Sequence, residues 1–229
     1  MTELIVALDV STLTEAEEAV DRLGGKVKWF KVGKQLFTAE GPAIVKMLKS
    51  RGFKVFLDLK FHDIPNTVAQ AVNSALNIGA DMVNFHATGG SEMIRVAVEK
   101  NRSEFPDAEL IAVTILTSSG QSVLDELQLA GTPKEAVVRL AGLAKKGGAH
   151  GVVCSAWEIE VLKNNYGKDF KVVVPGIRPA GSSTDDQKRI MTPGQAAALG
   201  ADYIVVGRPI MKAQDPAAAA DAVLSELVI

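Results

Sequence analysis

One pattern recurs along the whole chain. A short segment rich in Val, Ile and Leu is followed by a longer one with apolar residues three and four positions apart. The short segments are typical of β-strands buried on both faces, and the longer ones of amphipathic helices. The tripeptide Gly-Ala-Asp or Gly-Ala-His precedes strands at 79–81, 148–150 and 200–202, which indicates a repeated helix-to-strand turn. The predicted strands are residues 4–10, 28–34, 54–60, 82–88, 109–117, 151–156, 171–177 and 203–210.

Strands that alternate with helices predict parallel β-α-β units. Eight such units in 229 residues favour an α/β fold with one domain over residues 1–229, a closed (β/α)8 TIM barrel. A doubly wound open sheet is the alternative. Two connections are longer than a barrel turn requires: 118–131, which we expect to hold a short extra helix, and 178–191, whose polar, Gly-containing sequence is typical of a mobile lid.

Composition narrows the classes of partner. A net charge of −2 gives no electrostatic reason to expect nucleic acid or an anionic membrane surface as a partner. The single cysteine, Cys154, excludes an internal disulfide and fits a reducing cytoplasm. The N-terminus enters a strand almost at once, so we expect no signal peptide, and no apolar run is long enough to span a bilayer. The sequence therefore predicts a cytoplasmic protein with a small-molecule ligand.

Charged residues stand at the carboxyl ends of three neighbouring predicted strands. These residues are Asp9, Lys31, Asp58 and Lys60. Side chains alternate between the two faces of a strand, so each of the first three lies on the same face as the apolar residue two positions before it, and Lys60 lies on the same face as Asp58. If that face is the barrel interior, the four side chains converge at the mouth, where barrel active sites lie. A structural salt-bridge network is the alternative, but buried ion pairs often add little net stability, so a functional role is favoured. Asp63 lies beyond the strand, in the following loop.

A second group of residues indicates a phosphate site. Gly207 and Arg208 follow the eighth predicted strand, Arg178 follows the seventh, and Gln187 lies in the long loop after it. In barrels, the loops after strands seven and eight commonly bind phosphate through backbone N–H groups and a guanidinium. A surface arginine after a tight turn is the alternative reading for Arg208.

The sequence predicts no metal and no cofactor. His62, His86 and His150 are scattered without ligand spacing, and there is no Gly-rich dinucleotide loop.

The stretch FLDLKFHDIPNT, residues 56–67, resembles the signature of the bacterial orotidine 5′-monophosphate decarboxylase family. The segments VALDV, FKVGKQLF, VTILTSS, VVVPGIRP and VVGRPI resemble other blocks of that family in the same order, from about residue 4 to 210. Related sugar-phosphate lyases share the Asp-x-Lys-x-x-Asp core. Lys31 and the HDIPNT segment distinguish this chain from them, because those relatives carry an acidic residue at the position of Lys31 and use magnesium.

The resemblance implies a cofactor-free carboxy-lyase that converts orotidine 5′-monophosphate to uridine 5′-monophosphate in pyrimidine synthesis. It implies that Asp9 and Lys31 bind the ribose hydroxyls, that Asp58 lies against the substrate carboxylate, and that Lys60 donates the proton. Lys31 also belongs to the implied catalytic chain of alternating Lys and Asp residues.

The same resemblance implies an obligate homodimer in which Asp63 and Thr67 reach the partner's site. The remaining implied contacts are Thr117, with Ser118, to the pyrimidine, and Arg178, Gln187, Gly207 and Arg208 to the phosphate. Two other functions stay open: a magnesium-dependent sugar-phosphate lyase, and a non-catalytic barrel that binds a phosphorylated ligand.

Overall fold

The structure, a computed structural model, describes residues 1–179 and 191–228. Its parallel strands form one closed barrel in which each strand pairs with the next and the last pairs with the first. The strands are β1 Glu3–Leu8, β2 Trp29–Gly33, β3 Lys54–Phe61, β4 Met82–His86, β5 Glu109–Val113, β6 Gly151–Val153, β7 Lys171–Pro175 and β8 Tyr203–Val206. The predicted (β/α)8 barrel is confirmed, and the open-sheet alternative is wrong.

Helices connect the strands and cover the outside of the barrel. They are α1 Leu13–Arg22, α2 Lys34–Glu40, α3 Pro42–Ser50, α4 Pro65–Asn77, α5 Gly90–Arg102, α6 Gln121–Glu126, α7 Pro133–Lys146, α8 Ile159–Tyr166, α9 Pro193–Ala198, α10 Arg208–Met211 and α11 Pro216–Glu226. Single turns of 3₁₀ helix lie at Ala87–Gly89 and Ala156–Glu158. Among the helices that the structure describes, none has the length and apolar character needed to cross a membrane.

Local sequence explains several helix starts. The hydroxyls of Thr12, Thr132 and Thr192 each accept a hydrogen bond from a backbone N–H three residues on, and a Glu or Gln at that position closes a capping box. Each box satisfies two N–H groups that would otherwise have no partner. These caps fix where α1, α7 and α9 begin. Helix α6 is the short extra helix expected within 118–131.

The barrel interior contains a compact apolar layer beneath the mouth. Side chains from alternate strand positions meet there, and these are Ile5, Ala7, Trp29, Phe56, Met82, Ile111, Val173, Tyr203 and Val205. Because Ala7, Trp29 and Phe56 point inward, the charged residues two positions further along the same strands lie above this layer, at the carboxyl ends of the strands.

Among the described strands, all but β3 end earlier than predicted, and the difference is largest for β5, β6 and β8. β5 ends at Val113, and the hydroxyl of the next residue, Thr114, donates to the Val153 carbonyl at 2.8 Å. β6 ends at Val153, since Ser155 caps the 3₁₀ turn that follows. β8 ends at Val206, and α10 begins two residues later. Most of the predicted lid, 178–191, lies outside the described residues.

Candidate active site

The four charged residues predicted to converge do meet at the mouth. Asp9 directly follows β1, Lys31 lies on β2, and Asp58 and Lys60 lie on β3. Lys31 Nζ is 3.1 Å from Asp9 Oδ1 and 3.6 Å from Asp58 Oδ2. Lys60 Nζ is 2.5 Å from Asp58 Oδ1. These four side chains, which we call the charged row, therefore alternate in sign along one line of contacts.

Asp58 shares with Lys31 the lowest side-chain exposure in the charged row. Its side chain is 12% exposed, as is that of Lys31, against 60% for Asp9. Burial alone would raise the pKa of Asp58, but the two lysines and a hydrogen bond from Asn84 outweigh burial and hold that pKa below its usual value. Asp58 is therefore a carboxylate at neutral pH.

The backbone of β3 is irregular at the charged row. Leu57 pairs with Val83, but the next paired residue on β3 is Phe61, opposite Phe85, so β3 has two extra residues in this interval. Lys60 has a φ of 55°, in the left-handed region that residues other than glycine rarely adopt. Simple strand alternation predicted that Asp58 and Lys60 would meet; the bulge is what actually sets the direction of Lys60.

A cavity of about 330 Å³ opens beside the charged row. All four members line it, together with Gly33, Lys34, His86 and Leu116. This volume lies at the small end of the range of ligand pockets, about 300–1,000 Å³. The cavity can therefore hold a small polar ligand against Asp58 and Lys60.

His86 and Lys34 also lie on the cavity wall. The His86 ring lies 5.6 Å from that of His62. Burial, followed by the neighbouring His62, Lys34 and Lys60, lowers the pKa of His86, so its imidazole is neutral at pH 7. Sequence reasoning overlooked Lys34, although it directly follows the strand that carries Lys31. Within residues 1–179 and 191–228, no three His, Cys, Asp or Glu side chains are grouped so that they could hold a metal ion.

Asp63 and Thr67 lie apart from the cavity within one chain. Both are exposed, and the Asp63 carboxylate accepts a hydrogen bond from the Ile64 N–H at 2.6 Å. Neither is among the described residues that line the cavity. Ile64, between them, exposes 66% of its surface, which is high for an apolar side chain.

Three of the residues predicted to bind phosphate, Arg178, Gly207 and Arg208, follow β7 and β8. A Cβ atom at Gly207 would be 3.3 Å from Asp9 Oδ2, so this glycine directly adjoins the charged row. Arg208 is half-buried and begins α10. Arg178 is buried, and its backbone N–H donates to the Met191 carbonyl at 3.1 Å. Gln187 lies outside the described residues.

Thr117 is half-buried in the loop between β5 and α6. Its neighbour Leu116 lines the cavity.

Asn84 is the buried polar residue that sequence reasoning missed. It lies on β4, is fully buried, and contacts both Asp58 and the Lys60 backbone. Its signal was a lone amide in the apolar strand MVNFH, because a buried amide requires hydrogen-bond partners.

A closed (β/α)8 barrel with alternating acidic and basic side chains at its mouth defines a barrel protein with a polar ligand site at the carboxyl ends of its strands. Comparison with known proteins then identifies the family. Residues 2–223 match the model of the orotidine 5′-phosphate decarboxylase / HUMPS family. The chain belongs to this family, as the sequence resemblance predicted.

Individual relatives agree over nearly the whole chain. The orotidine 5′-phosphate decarboxylases of Trichlorobacter lovleyi and Geotalea daltonii are each 50% identical over 99% of this chain, which covers 95% and 96% of their lengths. The crystal structure of orotidine 5′-phosphate decarboxylase from Lactobacillus acidophilus superposes with a TM-score of 0.89 at 39% identity, covering 100% of both chains.

Proposed function

We propose that this chain decarboxylates orotidine 5′-monophosphate to uridine 5′-monophosphate in pyrimidine biosynthesis, using its own side chains and no cofactor. The observation that carries the proposal is the charged row, which sets an ammonium group and an ionised carboxylate side by side in a ligand-sized cavity. Relatives that are 50% identical are named for this carboxy-lyase activity. The family description also names HUMPS, so family membership alone does not select the substrate.

The chemistry requires a cation at the carbon that loses carbon dioxide. When the bond to the carboxylate breaks, its electron pair remains on C6 of the pyrimidine, which has no obvious electron sink. The Lys60 ammonium stabilises this developing negative charge and then transfers a proton to the carbon, leaving a neutral amine. Preorganised charge of this kind is commonly the largest contribution to catalysis.

Asp58 has two roles in this proposal. It holds Lys60 in place through the 2.5 Å contact between Oδ1 and Nζ, and it favours the protonated amine. It also lies where the substrate carboxylate would approach, and repulsion there would be relieved as carbon dioxide leaves. We treat this repulsion as secondary to charge stabilisation by Lys60.

The rest of the nucleotide would be bound around the charged row. Asp9 and Lys31 are 3.1 Å apart and could both hydrogen-bond the ribose hydroxyls. Thr117 would contact the pyrimidine. The phosphate would bind at the side of the mouth formed by β7 and β8, and the residues proposed for it are Arg178, Gln187, Gly207 and Arg208. Phosphate contacts distant from C6 would supply binding energy for assembling the site.

We further propose that the active form is a homodimer of single-domain chains with composite sites. Asp63 and Thr67 are exposed and do not line the cavity of their own chain, which is compatible with a role in a neighbouring site. The exposed Ile64 between them supplies apolar surface for such an interface. Asp63 from the partner would then flank Lys60 on the side opposite Asp58.

The proposed function is tested by adding the protein to orotidine 5′-monophosphate in the presence of a chelator and following the ultraviolet absorbance of the orotate ring. Loss of the chromophore with formation of uridine 5′-monophosphate is expected. A requirement for magnesium would favour a sugar-phosphate lyase, and binding without turnover would favour a non-catalytic barrel.

A further inference from the structure

We propose that Asn84 is a positioning residue for Lys60: its side-chain amide fixes the carboxylate and the backbone that together aim the Lys60 ammonium. The proposal rests on the proposed function for its activity readout. A second readout, on the Lys60 backbone itself, does not depend on any activity.

Asn84 makes one hydrogen bond to the Lys60 backbone and one to Asp58, the carboxylate that contacts the Lys60 ammonium. Its Nδ2 donates to Asp58 Oδ1 at 2.7 Å, and its Oδ1 accepts from the Lys60 backbone N–H at 2.8 Å. An ionised carboxylate only accepts and a backbone N–H only donates, so these two partners determine which way the amide faces. Asp58 Oδ1 is also the oxygen that contacts Lys60 Nζ. Asn84 therefore holds Lys60 at its backbone directly and at its ammonium through Asp58.

The bulge explains why Lys60 needs such a partner. Regular pairing of β3 with β4 stops at Leu57 and resumes at Phe61, so the Lys60 N–H has left the regular ladder. Lys60 also adopts a φ of 55°, which is unfavourable for a residue with a side chain. The Asn84 oxygen replaces the missing ladder bond and so stabilises the left-handed conformation that directs the side chain toward Asp58.

Burial makes the arrangement rigid. Asn84 is 0% exposed, and it lies on β4 beside the apolar layer of the barrel interior. Water cannot easily substitute for an amide at this depth, so removing it leaves the Lys60 N–H and Asp58 Oδ1 each without one partner. A displacement of about 1 Å in a catalytic group can cost about 100-fold in rate.

The first test compares two alanine variants. Asn84→Ala should lower kcat by about 100-fold with KM changed by only a few-fold, since the variant moves Lys60 and leaves the predicted phosphate contacts in place. Asn101→Ala is the matched control: Asn101 is also buried and hydrogen-bonded, to the Ala69 and Ala97 carbonyls on the outer helices. It should be destabilised similarly and keep its kcat. A kcat for Asn84→Ala within about threefold of this control would overturn the proposal.

Asn84→Asp is the second variant, and it leaves no cavity if the alanine variant fails to fold. A carboxylate would then lie 2.7 Å from Asp58 Oδ1, and two carboxylates this close cannot both ionise readily. Only the protonated pair can reproduce the hydrogen bond of the amide, so kcat relative to wild type should fall as pH rises. Parallel pH profiles for this variant and the wild type would contradict the assigned role.

The readout that is independent of activity is hydrogen exchange at the Lys60 amide, measured by NMR without substrate. Wild type and Asn101→Ala should show a protected amide, and Asn84→Ala should show faster exchange at Lys60. Equal protection in all three proteins would overturn the proposal even if the protein proved not to be a decarboxylase.

Discussion

The left-handed backbone at Lys60 allows its conformational and chemical roles to be separated by two substitutions. Lys60→Ala and Lys60→Gly both remove the ammonium group, so both should lose turnover. They differ in backbone freedom at a φ of 55°. For a residue with a Cβ atom, the left-handed conformation costs about 1–2 kcal/mol of conformational free energy. Glycine avoids that cost but loses about 0.5–1 kcal/mol through its greater freedom in the unfolded chain.

The glycine variant should therefore be the more stable of the two by about 0.5–1 kcal/mol, the reverse of the usual order of Ala and Gly. For a chain of this size the difference corresponds to about 1–4 °C in Tm, measurable by scanning calorimetry. Gln128 is an exposed residue with a φ of 53° and supplies the control. Gln128→Gly should exceed Gln128→Ala in stability by a similar amount, with full activity in both.

Two results would contradict these roles of Lys60. If Lys60→Ala were as stable as Lys60→Gly while the Gln128 pair differed, the backbone at Lys60 would not be left-handed. If either Lys60 variant kept wild-type turnover, Lys60 would not be the proton donor.

Three further predictions concern the dimer, the phosphate and acid stability. Mixing Lys60→Ala with Asp63→Asn chains should restore activity at about a quarter of the sites; no recovery after verified subunit exchange would exclude composite sites. Arg208→Ala should raise KM for the nucleotide but leave the slow reaction of the nucleoside without phosphate unchanged; equal losses with both substrates would argue against a phosphate contact. The pKa of Asp58 in the folded protein lies below its ordinary value of 3.8. The ionised carboxylate therefore stabilises the folded protein fully above pH 3.8, and this stabilisation is lost as pH falls toward the lowered pKa. The difference in urea unfolding free energy between wild type and Asp58→Asn should shrink correspondingly below about pH 4, and a constant difference would contradict the pKa assignment.

Sequence periodicity was sufficient for the overall architecture because each β-α unit carries its own pattern. Apolar strands, threonine caps and helix-ending glycines are local signals, and they agree with one another along the chain. Strand alternation also placed Asp9, Lys31 and Asp58 at one mouth, since inward-facing positions are fixed once the interior face is known.

Features that depend on pairing between strands were not visible in the same way. The bulge before Phe61 depends on how β3 meets β4, and the single-strand pattern of FLDLKF contains no sign of it. The contacts of Asn84 depend on the same pairing. Asp63 and Thr67 are exposed and do not line the cavity of their own chain, and the proposed contact with a second chain cannot be read from the pattern of one chain.

Proton transfer from an ammonium group at position 60 to the substrate carbon can be examined by chemical rescue of a cysteine variant. Cys154 is the only cysteine of the chain; it is fully buried, and burial raises the pKa of its thiol, so a new thiol at position 60 would alkylate selectively. Lys60→Cys should be inactive.

Treatment of this variant with 2-bromoethylamine would rebuild an ammonium group at the end of a side chain with as many bonds as lysine, in which a thioether sulfur replaces the γ-methylene. Wild type treated in the same way is the control for modification elsewhere. Loss of orotate absorbance should return in the alkylated variant in the presence of chelator. Full alkylation of the thiol at position 60 without any return of turnover, or full activity before alkylation, would contradict the role of Lys60.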